Sequence, residues 1–163
     1  MIKQKVWLIC GGGGFSWESR ELANKLEKYF DVYYIFPNES QEARAQFPTD
    51  RTIFVPTLTA RYQLSFIKKI TAFITLIYIG IKNFKLLNDS LIICLGTSLG
   101  IPLLITAKLL GHKTIFVESI TRINDLSKTG ALLNKYKIAN KTLVQWQEQE
   151  NTAKGIYFWG NIL

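Results

Sequence analysis

Two cysteines, one histidine and no apolar run of bilayer length set the first limits on this 163-residue chain. With His112 as the lone histidine and Cys10 and Cys94 as the lone thiols, no Cys/His cluster of zinc-ligand spacing exists and no metal site is expected. Each thiol closes a strand-like apolar run (VWLIC and LIIC), so both are expected to be buried and free, as in a reducing compartment. Within residues 64–87 the longest uncharged run, Ile70–Ile81, is too short to span a bilayer. The apolar run before the N-terminal glycines is too short for a secretory signal, and the expectation is a cytoplasmic protein. Two nucleotide signatures are also missing. The dinucleotide fingerprint needs glycine at Ser16, its ribose-binding acid is replaced by Phe36-Pro37-Asn38, and no G-K-[ST] follows the glycines. Neither an internal repeat nor a low-complexity linker interrupts the chain.

Acidic residues are scarce in one region. Residues 1–60 carry seven Lys/Arg and seven Asp/Glu, whereas residues 61–113 carry seven basic residues against Asp89 alone. Much of the net charge of +8 therefore falls on one stretch, which points to a single anionic surface, nucleic acid or membrane. Inside it, residues 64–87 read as an apolar helix with Ile67, Ile70, Ile74, Ile77, Ile81 and Phe84 along one stripe. A core helix covering one face of a sheet is one reading of that stripe. Phe66, Phe73, Leu76 and Ile79 widen the apolar surface, however. Lys68, Lys69, Lys82 and Lys85 at its two ends suit a helix lying on an anionic membrane, with Ile70, Phe73 and Ile77 as apolar contacts. The interleaved basic and aromatic residues of nucleic-acid readers are absent, so a membrane surface is expected and nucleic acid is not.

What is present is the pattern of a single α/β domain spanning residues 1–163. Hydrophobic residues make up 48% and charged residues 20%, enough for one sizeable core. KVWLIC, DVYYIF, RTIFVP, SLIICLG and KTIFVE read as strands, and KTLVQW and GIYFW as late ones. SWESRELANKLEKYF reads as a helix with Ser16 as N-cap and Leu22, Leu26 and Tyr29 on one face. IPLLITAKLLG and the region Lys128–Ile138 read as further helices, and the stretch from Asn38 to Asp50 as polar connection. Strands alternating with helices predict a Rossmann-like parallel sheet covered on both faces.

Two glycine-rich loops, GGGG at Gly11–Gly14 and GTSLG at Gly96–Gly100, each follow a strand and open a helix. In a parallel sheet both fall at the carboxyl edge, where backbone N–H groups and helix N-termini favour an anion. The fifth strand delivers Glu118, Ser119, Thr121 and Arg122 to the same edge. A tight turn with no ligand is the competing reading of the glycines alone.

The motifs E-S-x-x-R (Glu118, Ser119, Arg122), L-S-x-T-G (Leu126, Ser127, Thr129, Gly130) and V-Q-W (Val144, Gln145, Trp146) occur in order. With the glycine-rich start, the GTSLG loop and the closing GIYFWG, the chain resembles the Alg-fourteen-like family, which includes PssD-type capsule and exopolysaccharide proteins. The resemblance implies the N-terminal, acceptor-side half of a GT-B glycosyltransferase. Its partner would be a small Alg-thirteen-like or PssE-type subunit that holds the UDP-sugar donor, so no cofactor is expected on this chain itself. The acceptor implied is a polyprenyl-diphosphate-linked sugar at the cytoplasmic face of the plasma membrane. Carried onto this sequence, Gly12, Gly13, Gly14, Phe15, Thr97, Ser98, Arg122, Ser127, Thr129 and Gly130 would meet the acceptor diphosphate. Gln145, Trp146 and Trp159 would shape the domain edge or meet the partner, where Trp17 also lies.

One position departs from the family pattern. Its loop carries a histidine where this chain has Phe15, while the acid three residues on is kept as Glu18. Phenylalanine takes no proton, so Glu118 becomes the candidate base. The alternative for Glu118 is a structural partner of Arg122 or of backbone amides; for Arg122 it is pairing with Glu118 or Asp125; for Ser127 it is a plain N-cap. Two other functions stay open at this point: a non-catalytic scaffold for a partner enzyme, and an unrelated nucleotide-binding α/β module.

Overall fold

The computed structural model describes residues 3–58, 65–85 and 90–162. Strands and helices alternate: β1 (Lys5–Ile9), α1 (Phe15–Leu26), β2 (Asp31–Pro37), α2 (Gln41–Gln46), β3 (Thr52–Val55), α3 (Phe66–Phe84), β4 (Leu91–Leu95), α4 (Gly100–Leu109), β5 (Lys113–Val117), α5 (Lys128–Lys135), β6 (Lys141–Val144) and β7 (Ile156–Phe158). Among the described residues these strands form one sheet in the order β3-β2-β1-β4-β5-β6-β7, with every neighbouring pair parallel. This is the Rossmann-like α/β architecture expected from the alternation of apolar runs and helical periods.

Parallel strands buried on both faces need apolar residues at odd and even positions alike. Val6, Leu8 and Cys10 pack with Val32, Tyr34 and Phe36 beneath α1 and α2. Trp7 and Ile9 pack with Ile35, Ile92 and Cys94 beneath α3, α4 and α5. Cys10 and Cys94 are therefore on opposite faces, and both are free and buried. Burial pushes both thiols up, Cys94 to about 12, which makes them unreactive at neutral pH.

Three local expectations are corrected. Helix α1 begins at Phe15 with Gly14 as N-cap, so Ser16 lies inside the helix and its hydroxyl bonds the Gly13 carbonyl at 2.7 Å instead. Tyr29 falls beyond the end of α1 and is 73% exposed, so it does not share the buried face of Leu22. The polar connection before Asp50 contains α2, which packs Ala43 into the core.

A fourth correction concerns α3. It packs against α4, and its buried residues are Ala72, Leu76, Gly80 and Phe84. Gly80 permits that approach, since a β-carbon there would meet Thr106 Cγ2 at 3.0 Å. The isoleucine stripe turns outward: Ile67 is 71% exposed and Ile74 61%, with Ile70, Tyr78 and Ile81 exposed as well. The helix seats itself on residues four apart, Ala72, Leu76, Gly80 and Phe84, and of the expected stripe only Phe84 is fully buried. Leu64, Leu86 and Leu87, at the ends of the expected segment, lie outside the described residues. Among the described residues no helix is long and apolar enough to cross a membrane.

Candidate functional site

The strand order reverses between β1 and β4. In open parallel sheets, ligands bind at the carboxyl ends of the strands beside such a reversal. The two glycine loops leave from those two strands, so the fold places Gly11–Gly14 and Gly96–Ser98 side by side at the switch point. Gly13 has φ +65°, which lets its carbonyl turn back to accept from the Ser16 backbone N–H at 2.9 Å and from the Ser16 hydroxyl. Gly96 has φ +57°, and a side chain there would meet the Phe15 ring at 3.2 Å and Ser119 Cβ at 3.3 Å. Phe15 thus bridges the two loops as packing. Among the described residues, the amides of Gly12, Gly13 and Gly14 donate no hydrogen bond within the chain. They sit at the positive end of a twelve-residue helix, a donor set for an anion.

Beside this loop, Ser40 is 5% exposed and its hydroxyl has no partner. It lies against Gly12, where a β-carbon would displace it. Ser40 precedes α2 but its side chain does not cap that helix. The sequence reading missed this residue, because a serine in the polar turn between β2 and α2 carries no signal of what it will face.

Two buried carboxylates tie the edge together. Glu18, on the first turn of α1, accepts from the Ser119 hydroxyl (2.7 Å), the Ile120 N–H (3.1 Å) and the Gln145 amide (3.3 Å). Glu118 is 1% exposed and accepts from the Ser119 N–H (3.1 Å) and the Ser127 N–H (2.7 Å). Burial raises the Glu118 carboxyl above its ordinary range, against the opposing pull of the Ser127 and Ser119 hydrogen bonds and of the Arg122 charge. Of the two structural alternatives for Glu118, the structure contains the one with backbone amides. Among the described residues Arg122 makes no ion pair, neither with Glu118 nor with Asp125, and its side chain is exposed at the edge.

Other expected residues divide. Thr97 and Ser98 are half-buried in the second loop, beside the first. Ser127 is the N-cap of α5, its hydroxyl accepting from the Gly130 N–H at 3.0 Å, and Thr129 is half-buried on that helix. Gly130 is buried: a β-carbon there would meet Glu118 Oε2 at 2.5 Å and Phe116 Cε1 at 2.8 Å. It therefore seats Glu118 and does not reach a ligand. Gln145, expected at the edge or partner interface, is 1% exposed. Its amide bonds the Glu118 carbonyl at 3.0 Å and its oxygen accepts from the Ile162 N–H at 2.9 Å, so it holds the edge and meets no partner. Trp146 is half-buried and donates to the Ile120 carbonyl at 2.7 Å. Trp159 is 46% exposed, next to exposed Phe158 on the last strand. His112 lies at the opposite edge, its Nε2 2.9 Å from the Phe84 carbonyl that ends α3.

On the outer face of α3, Lys68, Lys69, Ile70, Lys82 and Lys85 are exposed, and Phe73 and Ile77 are half-buried. The helix has no acidic residue.

The family model described as "Oligosaccharide biosynthesis protein Alg14 like" matches residues 6–162. Among solved structures, MurG of Acinetobacter baumannii is similar with a TM-score of 0.69 and 17% identity, over 97% of this chain and 46% of that one. A UDP-N-acetylglucosamine 2-epimerase is similar with a TM-score of 0.64 and 17% identity, over 98% of this chain and 48% of that one. The chain spans about half the length of these solved structures, and at that identity the likeness establishes the fold. No curated protein matches it.

Proposed function

The chain belongs to the Alg14-like family of oligosaccharide biosynthesis proteins, and from that premise we propose that it is the acceptor-binding half of a two-part glycosyltransferase. The observation that carries this reading is the pair of glycine loops at the β1/β4 switch point, with open amides and no nucleotide signature. A diphosphate presents the charge such a cradle holds, and a lipid diphosphate needs no base or ribose recognition. Thr97 and Ser98 lie in the second glycine loop, and Arg122, on the loop after β5 at the same edge, has an exposed guanidinium suited to a phosphate fork. The UDP-sugar belongs, in this reading, to a separate PssE-type subunit. Exposed Phe158 at the end of the last strand and Trp159 just past it support docking of that subunit there. The pathway is that of a capsule or exopolysaccharide.

The transfer joins an acceptor hydroxyl to the anomeric carbon of the donor, breaks the bond to UDP and releases one proton. In this chain Phe15 takes no proton, and Glu18 and Glu118 are sealed among hydrogen bonds. The base is therefore assigned to the partner or to solvent, and the two carboxylates position the edge. This favours a binding half that is inactive alone. Transfer of labelled sugar from a UDP-sugar to a polyprenyl-diphosphate sugar should need both proteins. Full-rate transfer by the donor subunit alone overturns the proposal.

The acceptor sits in a bilayer, and α3 supplies the contact at the cytoplasmic face. Its outward isoleucines and end lysines combine apolar burial with attraction to anionic lipid. The protein should float with vesicles of anionic phospholipid. Neutralising Lys68, Lys69, Lys82 and Lys85 should weaken this by about 1 kcal/mol per lysine that reaches the surface. Flotation that ignores both lipid charge and these substitutions removes α3 from the membrane.

A further inference from the structure

A groove between α1 and α2 is left unused by the reading above. Ser16, Trp17, Arg20, Ala45 and Gln46 line it, and it is a shallow, open depression of about 480 Å³. Trp17 is 53% exposed on a helix that otherwise buries Ser16, Glu18, Ser19, Leu22 and Ala23. Leaving so large an apolar ring against water forgoes much of the burial it offers. Arg20 is fixed beside it, with Nη1 donating to the Gln46 carbonyl at 3.0 Å. Among the described residues its guanidinium makes no ion pair, so its other N–H groups face the groove and solvent. The groove is coupled to the glycine loop, because the Ser16 hydroxyl bonds the Gly13 carbonyl and lies 3.1 Å from Glu42 Oε2.

We propose that this groove is a saccharide subsite, with Trp17 as the platform for the pyranose attached to the acceptor diphosphate. The inference rests on the acceptor-binding reading and adds to it where the sugar lies. A sugar bonded to a diphosphate held by Gly12–Gly14 stays within about one ring of the phosphate. Trp17 lies in the first turn of α1 and Arg20 in the second, and a turn rises about 5.4 Å. The chemistry fits as well. One face of a pyranose is a patch of C–H groups that suits the electron-rich face of an indole. Its rim of hydroxyls needs a few fixed polar groups, which Arg20 and Gln46 supply. A protein-binding tryptophan is enclosed by a water-excluding surround, whereas the lining here, apart from Trp17 and Ala45, is polar.

Calorimetry on the full chain tests this with citronellyl diphosphate and its glucosyl, galactosyl and N-acetylglucosaminyl derivatives. At least one glycosylated probe should bind more tightly than the bare diphosphate. Trp17→Ala should abolish that gain, roughly a 3- to 10-fold loss, and leave the bare diphosphate unchanged, while Trp17→Phe retains most of it. Arg20→Gln should lower the gain in part. Equal binding of bare and glycosylated probes overturns the subsite while leaving the diphosphate reading in place. So does a Trp17→Ala variant that keeps the gain but loses co-purification with the donor subunit, which assigns Trp17 to docking. If no probe binds, the diphosphate reading falls and takes the subsite with it.

Discussion

Glu118→Gln separates a positioning role from proton transfer, and its cost follows from the geometry. Both carboxylate oxygens accept backbone N–H groups, Ser119 on Oε1 and Ser127 on Oε2. Glutamine keeps the volume but offers one acceptor and one donor. Its oxygen retains the shorter bond to Ser127, and its NH2 is then forced against the Ser119 N–H. One charge-assisted bond is lost, and the Ser119 N–H and the new amide are left as two buried donors facing each other, offset by removal of a buried charge. The net loss is about 2–4 kcal/mol, or roughly 5–15 °C in Tm for a chain of this size. Thermal or urea unfolding of the isolated chain measures it.

The pH dependence supplies a second readout. The folded-state carboxyl is raised above its ordinary 4.5, so the folded chain holds a proton over a range where the unfolded chain has lost it. Stability from this group is complete below about pH 4.5 and is lost as pH rises through the raised value. Glu118→Gln should flatten that part of the stability profile. In the transfer assay with donor subunit and saturating acceptor, below the variant's Tm, a positioning role predicts less than a tenfold fall in kcat. General-base catalysis is worth about 10²–10⁴-fold. A hundredfold fall in kcat with KM and Tm unchanged refutes the positioning argument and restores Glu118 as the base.

Two further substitutions test the packing. Gly130→Ala places a methyl 2.5 Å from Glu118 Oε2 and 2.8 Å from Phe116 Cε1, and both side chains are fully buried. Overpacking of about 1–3 kcal/mol should exceed the helix-propensity gain of about 1 kcal/mol, lowering the urea midpoint; an unchanged or higher midpoint refutes it. Lys137 holds φ 50° just past α5, where the Ile138 N–H bonds the Leu133 carbonyl and the Lys137 N–H the Asn134 carbonyl. Glycine is preferred at such a left-handed cap, so Lys137→Gly should raise stability by up to about 1 kcal/mol, and a lowered Tm contradicts that account.

The fold was legible because its strands are buried on both faces. VWLIC, YIF and LIIC have no polar alternation to obscure them, and their spacing by helical segments allows little besides a parallel sheet. The site was legible at the level of loops for the same reason, since the sheet edge follows from strand direction. Contacts that depend on small groups were not. Ala72 and Gly80 seat α3 by being small, which a count of large apolar residues reads backwards. Six residues of α2 are too few to show a period. Glu118 bonds backbone amides, and Ser40 faces a glycine, so neither contact leaves a complementary side chain in the sequence to find.

The distribution of satisfied and open groups along the carboxyl edge fits binding better than chemistry. Glu18 ties α1 to the β5 loop and to Gln145 beyond β6, and Glu118 ties the end of β5 to the start of α5. Trp146 and Gln145 return bonds to the backbone of that same loop. Each of these links spans separate elements, so the edge is set before any ligand arrives and little ordering entropy remains to oppose binding. Among the described residues the Gly12–Gly14 amides, the buried Ser40 hydroxyl beside them and the exposed Arg122 guanidinium stay unpartnered, as does the buried Gln149 Oε1 beyond β6. The first three are donors that attract an anion. An edge with that division supports the proposed binding half, in which deprotonation of the acceptor hydroxyl falls to a group outside this chain.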